Sequence, residues 1–286
     1  MKQKMTNEIL NEAKNYCLVL NLPDPKCLNN GSDTDNLIRE YQLEAFRCIK
    51  YWRKNAGWLK DIKIIVDYSG ENEMEEKIEP KLKSPEYNTT INYSTFKKSL
   101  GFFDVHFGIK NLMDNFLTKP IIIHIDLDMI LLKEIPKEFF EPLLTKDLII
   151  GGYNPEDYAI QRSPTYGNRI YNTNLIINKS KEYSEYNFYK EITDIYSTYK
   201  DTPDYYLDET LAESTINMNL NKIHEVIFYE MGEGYSNNLE YLDKIYFWEE
   251  HIYRDKPKEL NKEQLKLKFL FNKVKKYFKL GKINAI

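Results

Sequence analysis

Two carboxylates, Asp126 and Asp128, interrupt the most apolar stretch of the chain, Pro120-IIIHIDLDMILL. Read as one extended strand, its period of two puts both side chains on the same face of a sheet. Carboxylates held that close repel each other and resist burial unless a cation neutralises them. Mn²⁺ or Mg²⁺ suits such a pair, because hard divalent ions prefer oxygen ligands and keep positions open for phosphate oxygens. An ion so held can bridge a diphosphate and stabilise charge on a leaving group. The plainer alternative is that the two Asp only end a strand and turn the chain. The four apolar residues after Asp128 argue against it.

Bulk properties narrow the field. With 40 Lys and Arg against 44 Asp and Glu among 286 residues, the formal charge is −4, which speaks against a general nucleic-acid binder. Only four His occur in the chain, too few to favour a His-rich dinuclear hydrolase centre. Cys17, Cys27 and Cys48 show no CxxC spacing. An odd number, without a secretory apolar region at the start, leads us to expect a reducing compartment and a cytoplasmic location. No apolar run approaches the roughly 20 residues needed to cross a bilayer.

The elements that must position the Asp pair read as follows. Tyr16–Leu20 is a buried first strand, followed by a Pro-, Asn- and Gly-rich exit loop. Asp35 or Asn36 can cap a helix reaching about Asn55, with Ile38, Tyr41, Ala45, Cys48, Ile49 and Trp52 at helical spacing. Ile62–Tyr68 is a second buried strand, completing a βαβ unit. Ser69 to Asn92 is polar and charged and reads as a surface loop. Ser94 to Leu117 has helical spacing, and the Asp-bearing run reads as a central strand covered on both faces. Leu148–Tyr153, Ile170–Asn178 and Ile223–Tyr229 read as strands, and Glu182–Lys200 and Leu207–Ser214 as helices. The expected fold is α/β: a mixed, mostly parallel central sheet flanked by helices.

Taken together, these segments resemble the GT-A glycosyltransferases, and most closely family 8, the glycogenin and lipooligosaccharide galactosyltransferase group. IIIHIDLDMILLKEI resembles that family's DxD segment. YNTNLIIN (Tyr171–Asn178) resembles its FNSGVLLIN strand, with Asn174 in place of Gly. Asp208–Glu209 stands where the family has an Asp-Gln pair, and His251-IYRDKP resembles its late His-x-x-Gly-x-x-Lys-Pro motif. Arg254 replaces that Gly, and the spacing to Lys256 is one residue shorter. Family 6, with an Asp-Glu pair and no His ligand, is a competing match.

The resemblance implies a catalytic domain over residues 1–257. It implies metal ligands Asp126, Asp128 and His251, with His224 as the alternative to His251. Lys256 would meet the donor diphosphate, and Lys110, sixteen residues before Asp126, would also contact the donor. Gly151 and Gly152 would let backbone approach a sugar closely, and Asn172 and Asn174 offer donors and acceptors to sugar hydroxyls. Asp208 and Glu209 would act near the anomeric carbon, with retention of configuration. His124, on the same strand face as Asp126, is expected in the core or behind the metal site. The donor implied is a UDP-sugar carrying a hexose or N-acetylhexosamine; the acceptor is a glycan, a lipid-linked saccharide or a protein.

Residues 258–286 form a basic amphipathic tail: Leu267, Leu270, Phe271, Val274 and Phe278 make one stripe, and Lys fills the rest. Such a helix either lies in an anionic membrane interface or covers the catalytic domain. Two other functions remain open. A nucleotidyltransferase would share the sheet and the metal, although no Gly-rich loop follows the first strand. A carbohydrate- or membrane-binding module would use the aromatic surface without catalysis.

Overall fold

The computed structural model describes residues 2–23, 34–69, 79–94, 103–152, 171–199, 215, 218–219, 221–227 and 246–249. A short helix α1 (Asn7–Asn11), capped by the Thr6 hydroxyl, leads into β1 (Tyr16–Pro23). Helix α2 (Thr34–Asn55) crosses to β2 (Lys63–Ser69), which pairs parallel with β1, so the expected βαβ unit is present. Helix α3 (Glu79–Leu82) precedes β3 (Thr89–Ser94), parallel to β2. Helix α4 (Phe103–Asn115) then returns the chain to β4 (Ile121–Ile125), parallel to β1 on its other side. After β5 (Met129–Leu131) and a 3₁₀ segment, Lys137–Leu144, come β6 (Leu148–Gly152), β7 (Tyr171–Lys179), α5 (Phe188–Tyr199), β8 (Ile223–Ile227) and β9 (Phe247–Glu249).

Seven strands form one sheet in the order β3-β2-β1-β4-β7-β6-β8, with β7 antiparallel to both neighbours and the other pairs parallel. This is the mixed, mostly parallel sheet expected from the sequence. Alternation divides the strands between two cores. Leu18, Leu20, Ile121, Ile123 and Ile125 face Ile49 and Trp52 of α2 and Phe140 of the 3₁₀ segment. Cys17, Val19, Ile122 and Ile176 face Ile109 and Leu112 of α4 and Phe188 and Ile192 of α5. Strand β4 lies in the middle and all five of its residues are buried. Each such Ile contributes about 1.5–3 kcal/mol by leaving water, which is why the Ile run takes the centre.

Two expectations need correction. The stretch read as a loop from Ser69 to Asn92 contains α3 and most of β3. Strand β3 is an edge strand with buried residues only at its two ends, so its sequence, TTINYS, carries little apolar signal. The Asp-bearing run is not one strand, because β4 ends at Ile125 and Asp126–Asp128 form a turn. The apolar residues after it belong to β5, which leaves the main sheet and pairs antiparallel with β9. The tail, residues 258–286, lies outside the described residues, and among those described no helix is long and apolar enough to cross a membrane.

Arg53, in the last turn of α2, ties the helix to the entrances of two strands. Its guanidinium donates to the carbonyls of Lys60 and Ile62 before β2, and of Tyr87 and Asn88 before β3. Five donors in a rigid fork suit this use. Burial lowers its pKa to about 10, Asp61 partly opposing the shift. Asn88 sits at φ 45°, a conformation that Asn tolerates better than most residues. Replacing Arg53 with Met should cost about 1–3 kcal/mol through carbonyls left without donors. Urea unfolding would measure this, and a midpoint equal to wild type would refute it.

Candidate functional site

Strand β4 cannot continue through Asp126 and Asp128. Its next positions would face cores closed by α2 on one side and by α4 and α5 on the other, where unneutralised carboxylates are costly. The backbone turns instead, the Met129 amide donating to the Asp126 carbonyl at 3.2 Å. The turn separates the two side chains: that of Asp126 is 36% exposed, whereas Asp128 is buried at 4%. The pair therefore does not share a strand face. Cys48 of α2 lies in the field of both carboxylates. Burial raises its thiol pKa most, and the charges of Asp128 and Asp126 raise it further. Among the described residues no group of three or more His, Cys, Asp or Glu is gathered for a metal ion. One accessible and one buried carboxylate, both hard oxygen donors, fit a divalent cation completed by groups beyond this set.

The turn lies at one end of a polar row that crosses the sheet. Register pairs Asn21 of β1 with Asp67 of β2, and Asp67 with Asn92 of β3. Val19 pairs with His124, so Asn21 lies two residues further along the strand beside the one that leads into Asp126. Ile125 pairs with Leu175, so Asn174 precedes, on β7, the partner of the last β4 residue before Asp126. The C-terminal ends of the parallel strands thus share one edge with the start of β7. Strands β1 and β4 flank the point where the connections change direction, from β1 outward to β2 and β3 and then back to β4. Open α/β sheets hold ligands at such switch points.

Asp67 ties this edge together. Its Oδ2 accepts from Asn21 Nδ2 at 3.0 Å; its Oδ1 accepts from Asn92 Nδ2 at 2.6 Å and Ser94 Oγ at 2.7 Å. Burial raises its carboxyl pKa, and the three donors partly offset that rise. Helix α4 comes down on this cluster through Gly108, where a Cβ would fall on Asp67 Oδ2 and within 2.8 Å of Asn21 Nδ2. Asn21 and Asp67 were not among the residues picked from sequence. The available signal was a polar residue closing each buried run, in YCLVLN and IKIIVD.

Behind the turn lies a second buried group. His124, 1% exposed, shares a hydrogen bond through Nδ1 with the Tyr189 hydroxyl at 2.6 Å, and its Nε2 is 3.9 Å from Asp126 Oδ1. It occupies the core behind the Asp pair, as the sequence led us to expect. His106 of α4 tilts against the Tyr189 ring at 6.1 Å and meets Phe188 edge-on. Burial lowers the pKa of both His, to about 4 for His106 and about 3 for His124, where His106 adds to the effect.

The remaining candidates divide. Gly151 and Gly152 end β6 on the polar edge, where the register against β7 shifts between Ile150 and Gly152. The backbones of Asn172 and Asn174 lie at the start of β7 on the same edge. Lys110 pairs with Asp114 one turn along α4, at 2.8 Å. His224 pairs with Ile149, Ile149 with Ile177, and Ile177 with Ile123. Three strand spacings, about 14 Å, thus separate His224 from β4, too far for it to ligate beside Asp126. Asp208, Glu209, His251 and Lys256 lie outside the described residues.

No protein-family model and no curated protein sequence matches the chain. Its structure is similar to solved glycosyltransferases. An active-site mutant of LgtC is 11% identical with a TM-score of 0.53, the match covering 90% of this chain and 95% of that one. Mouse xyloside xylosyltransferase 1, in its apo form, is 11% identical with a TM-score of 0.52, over 85% and 99%. The bifunctional glycosyltransferase WbbM is 11% identical with a TM-score of 0.55, over 82% of this chain and 45% of that one. The fold is that of the GT-A glycosyltransferases, as the resemblance implied.

Two outcomes follow from this packing. Gly108→Ala should cost about 1–3 kcal/mol, since Asp67 and Asn21 or the helix must shift to admit a methyl group; an unchanged denaturation midpoint would count against it. His106 binds a proton more readily in the unfolded chain than in the folded one. Stability should therefore fall as pH drops from 6.5 toward about 4, by up to ~1.4 kcal/mol per pH unit. His106→Phe should remove its share of that slope and leave the part due to His124, which urea titrations at several pH values would read.

Proposed function

We propose that the chain is a metal-dependent glycosyltransferase that moves a hexose or N-acetylhexosamine from a UDP-sugar to a glycan, a lipid-linked saccharide or a protein. The observation that carries this reading is the placement of Asp126 and Asp128. They follow the end of central strand β4, at the switch point between β1 and β4, in a fold shared with glycosyltransferases. Asp126 and Asp128 would hold Mn²⁺ or Mg²⁺. When bound, the ion supplies Lewis-acid neutralisation of the donor pyrophosphate.

The chain's own groups account for the rest. Asn172 and Asn174, at the start of β7 on the same edge, would offer donors and acceptors to the hydroxyls of a nucleotide sugar. Gly151, at the end of β6, leaves room for a sugar ring to approach the backbone. Glu249 of β9 pairs with Met129, the residue after Asp128. His251 follows Glu249 by two residues, a chain length of about 7 Å, which supports it over His224 as the third ligand. Lys256 would meet the diphosphate. Asp208 and Glu209 would act at the anomeric carbon, Glu209 as an anionic stabiliser or transient nucleophile in a retaining transfer. The basic amphipathic tail, residues 258–286, would hold the enzyme at an anionic membrane surface on the cytoplasmic side.

Asp126→Asn should leave the thermal midpoint within about 2–4 °C of wild type, the shift of a ~1 kcal/mol change in a chain of this size. It should lower Mn²⁺-dependent hydrolysis of UDP-sugars by about 10²-fold or more, as when a group that stabilises transition-state charge is removed. A wild-type protein that neither binds nor turns over any nucleotide sugar with Mn²⁺ would sink the reading. It would leave the nucleotidyltransferase or a binding module in its place.

A further inference from the structure

The imidazole behind the Asp turn is held more firmly than core packing alone requires. Its Nδ1 shares a hydrogen bond with the Tyr189 hydroxyl at 2.6 Å, and its ring meets Tyr189 edge-on at 5.6 Å. Tyr189 is itself held by Phe188 and by the tilted ring of His106. The other nitrogen, Nε2, is buried, and among the described residues it makes no hydrogen bond. It lies 3.9 Å from Asp126 Oδ1, and a modest rotation of that carboxylate would bring the two into hydrogen-bond range.

The tautomer follows from the two neighbours. A ring proton on Nε2 points toward a carboxylate oxygen and leaves Nδ1 to accept from the tyrosine hydroxyl. The opposite tautomer would keep the tyrosine bond with its direction reversed but set the Nε2 lone pair against that carboxylate, an electrostatic penalty.

We propose that His124 is the positioning residue for Asp126: its Nε2–H, oriented by the Tyr189 hydroxyl, fixes the rotation in which that carboxylate meets the ion. The inference rests on the reading of Asp126 as an ion ligand. A neutral donor suits the task, because it aims the carboxylate without cancelling the charge the cation needs. A cationic side chain in the same place would compete with the ion. Groups that hydrogen-bond to a metal ligand typically set affinity by orienting it, and here the orienting pair comes from β4 and α5, two of the best-packed elements.

The experiment measures Mn²⁺ uptake by the full chain, by titration with electron paramagnetic resonance of free Mn²⁺, alongside the thermal midpoint of the metal-free protein. His124→Phe and Tyr189→Phe should each weaken Mn²⁺ binding by about 10–100-fold. His124→Gln, whose amide offers an N–H near the Nε2 position, should return affinity toward wild type. Tyr189→Phe removes one oxygen and preserves the packing, so it carries the test even if His124→Phe does not fold. Wild-type affinity in the Phe variants would overturn the proposal, as would a Gln variant as weak as His124→Phe. A wild-type protein that takes up no Mn²⁺ overturns the ion-site reading and this inference together. Normal uptake by wild type and by all three variants overturns only the inference.

Discussion

The cost of burying an acidic side chain governs the architecture around β4. Five consecutive residues of this strand are sealed between two helical layers, and the run breaks where carboxylates begin. Continuing the strand would push the Asp side chains into closed cores. The backbone turns, leaves one carboxylate reachable from solvent and keeps the other within. The neighbouring strands carry polar side chains near the same level: Asn21 of β1 and Asp67 of β2 are buried two residues before their strands end, and hydrogen bonds satisfy them there. The boundary between apolar sheet and polar edge is thus a line across the fold, and the candidate site lies on it.

Much of this was legible in the sequence because burial writes itself as composition. Strand β1, helix α2, strand β2, the Ile run of β4 and the strands β6 and β7 are apolar enough to be recognised alone, and the βαβ pairing followed. What was not legible depended on partners far away in sequence. Strand β3 is polar because it lies at the sheet edge, with half-buried residues that a loop could equally contain. The two-strand ribbon of β5 and β9 is set by a pairing between distant segments. No local period distinguishes MILL as a strand of its own from the tail of β4.

The site was half legible for the same reason. Asp126 and Asp128 stood out as charges in an apolar run, but their division into one exposed and one buried group is a property of the turn. Asn21 and Asp67 were hidden because each looks like an ordinary polar strand end until the register sets them side by side. Gly108 carries no meaning in sequence. Its lack of a side chain matters only because α4 lands on the hydrogen-bonded end of β2. Lys110, chosen for its distance along the chain, lies on the same helix paired with Asp114.

The ribbon of β5 and β9 has a temporal consequence. Met129 and Glu249 are partners separated by about 120 residues of chain, a loop whose closure entropy must be met before their contacts can repay it. During synthesis the first βαβ unit and β4 emerge well before β9 exists, so the sheet can form while the Asp turn still lacks its neighbouring strand. An abortive product ending before residue 247 would present the acidic turn with β5 unpaired. Completion of the ribbon therefore ties the acidic turn's final surroundings to synthesis of the chain through residue 249.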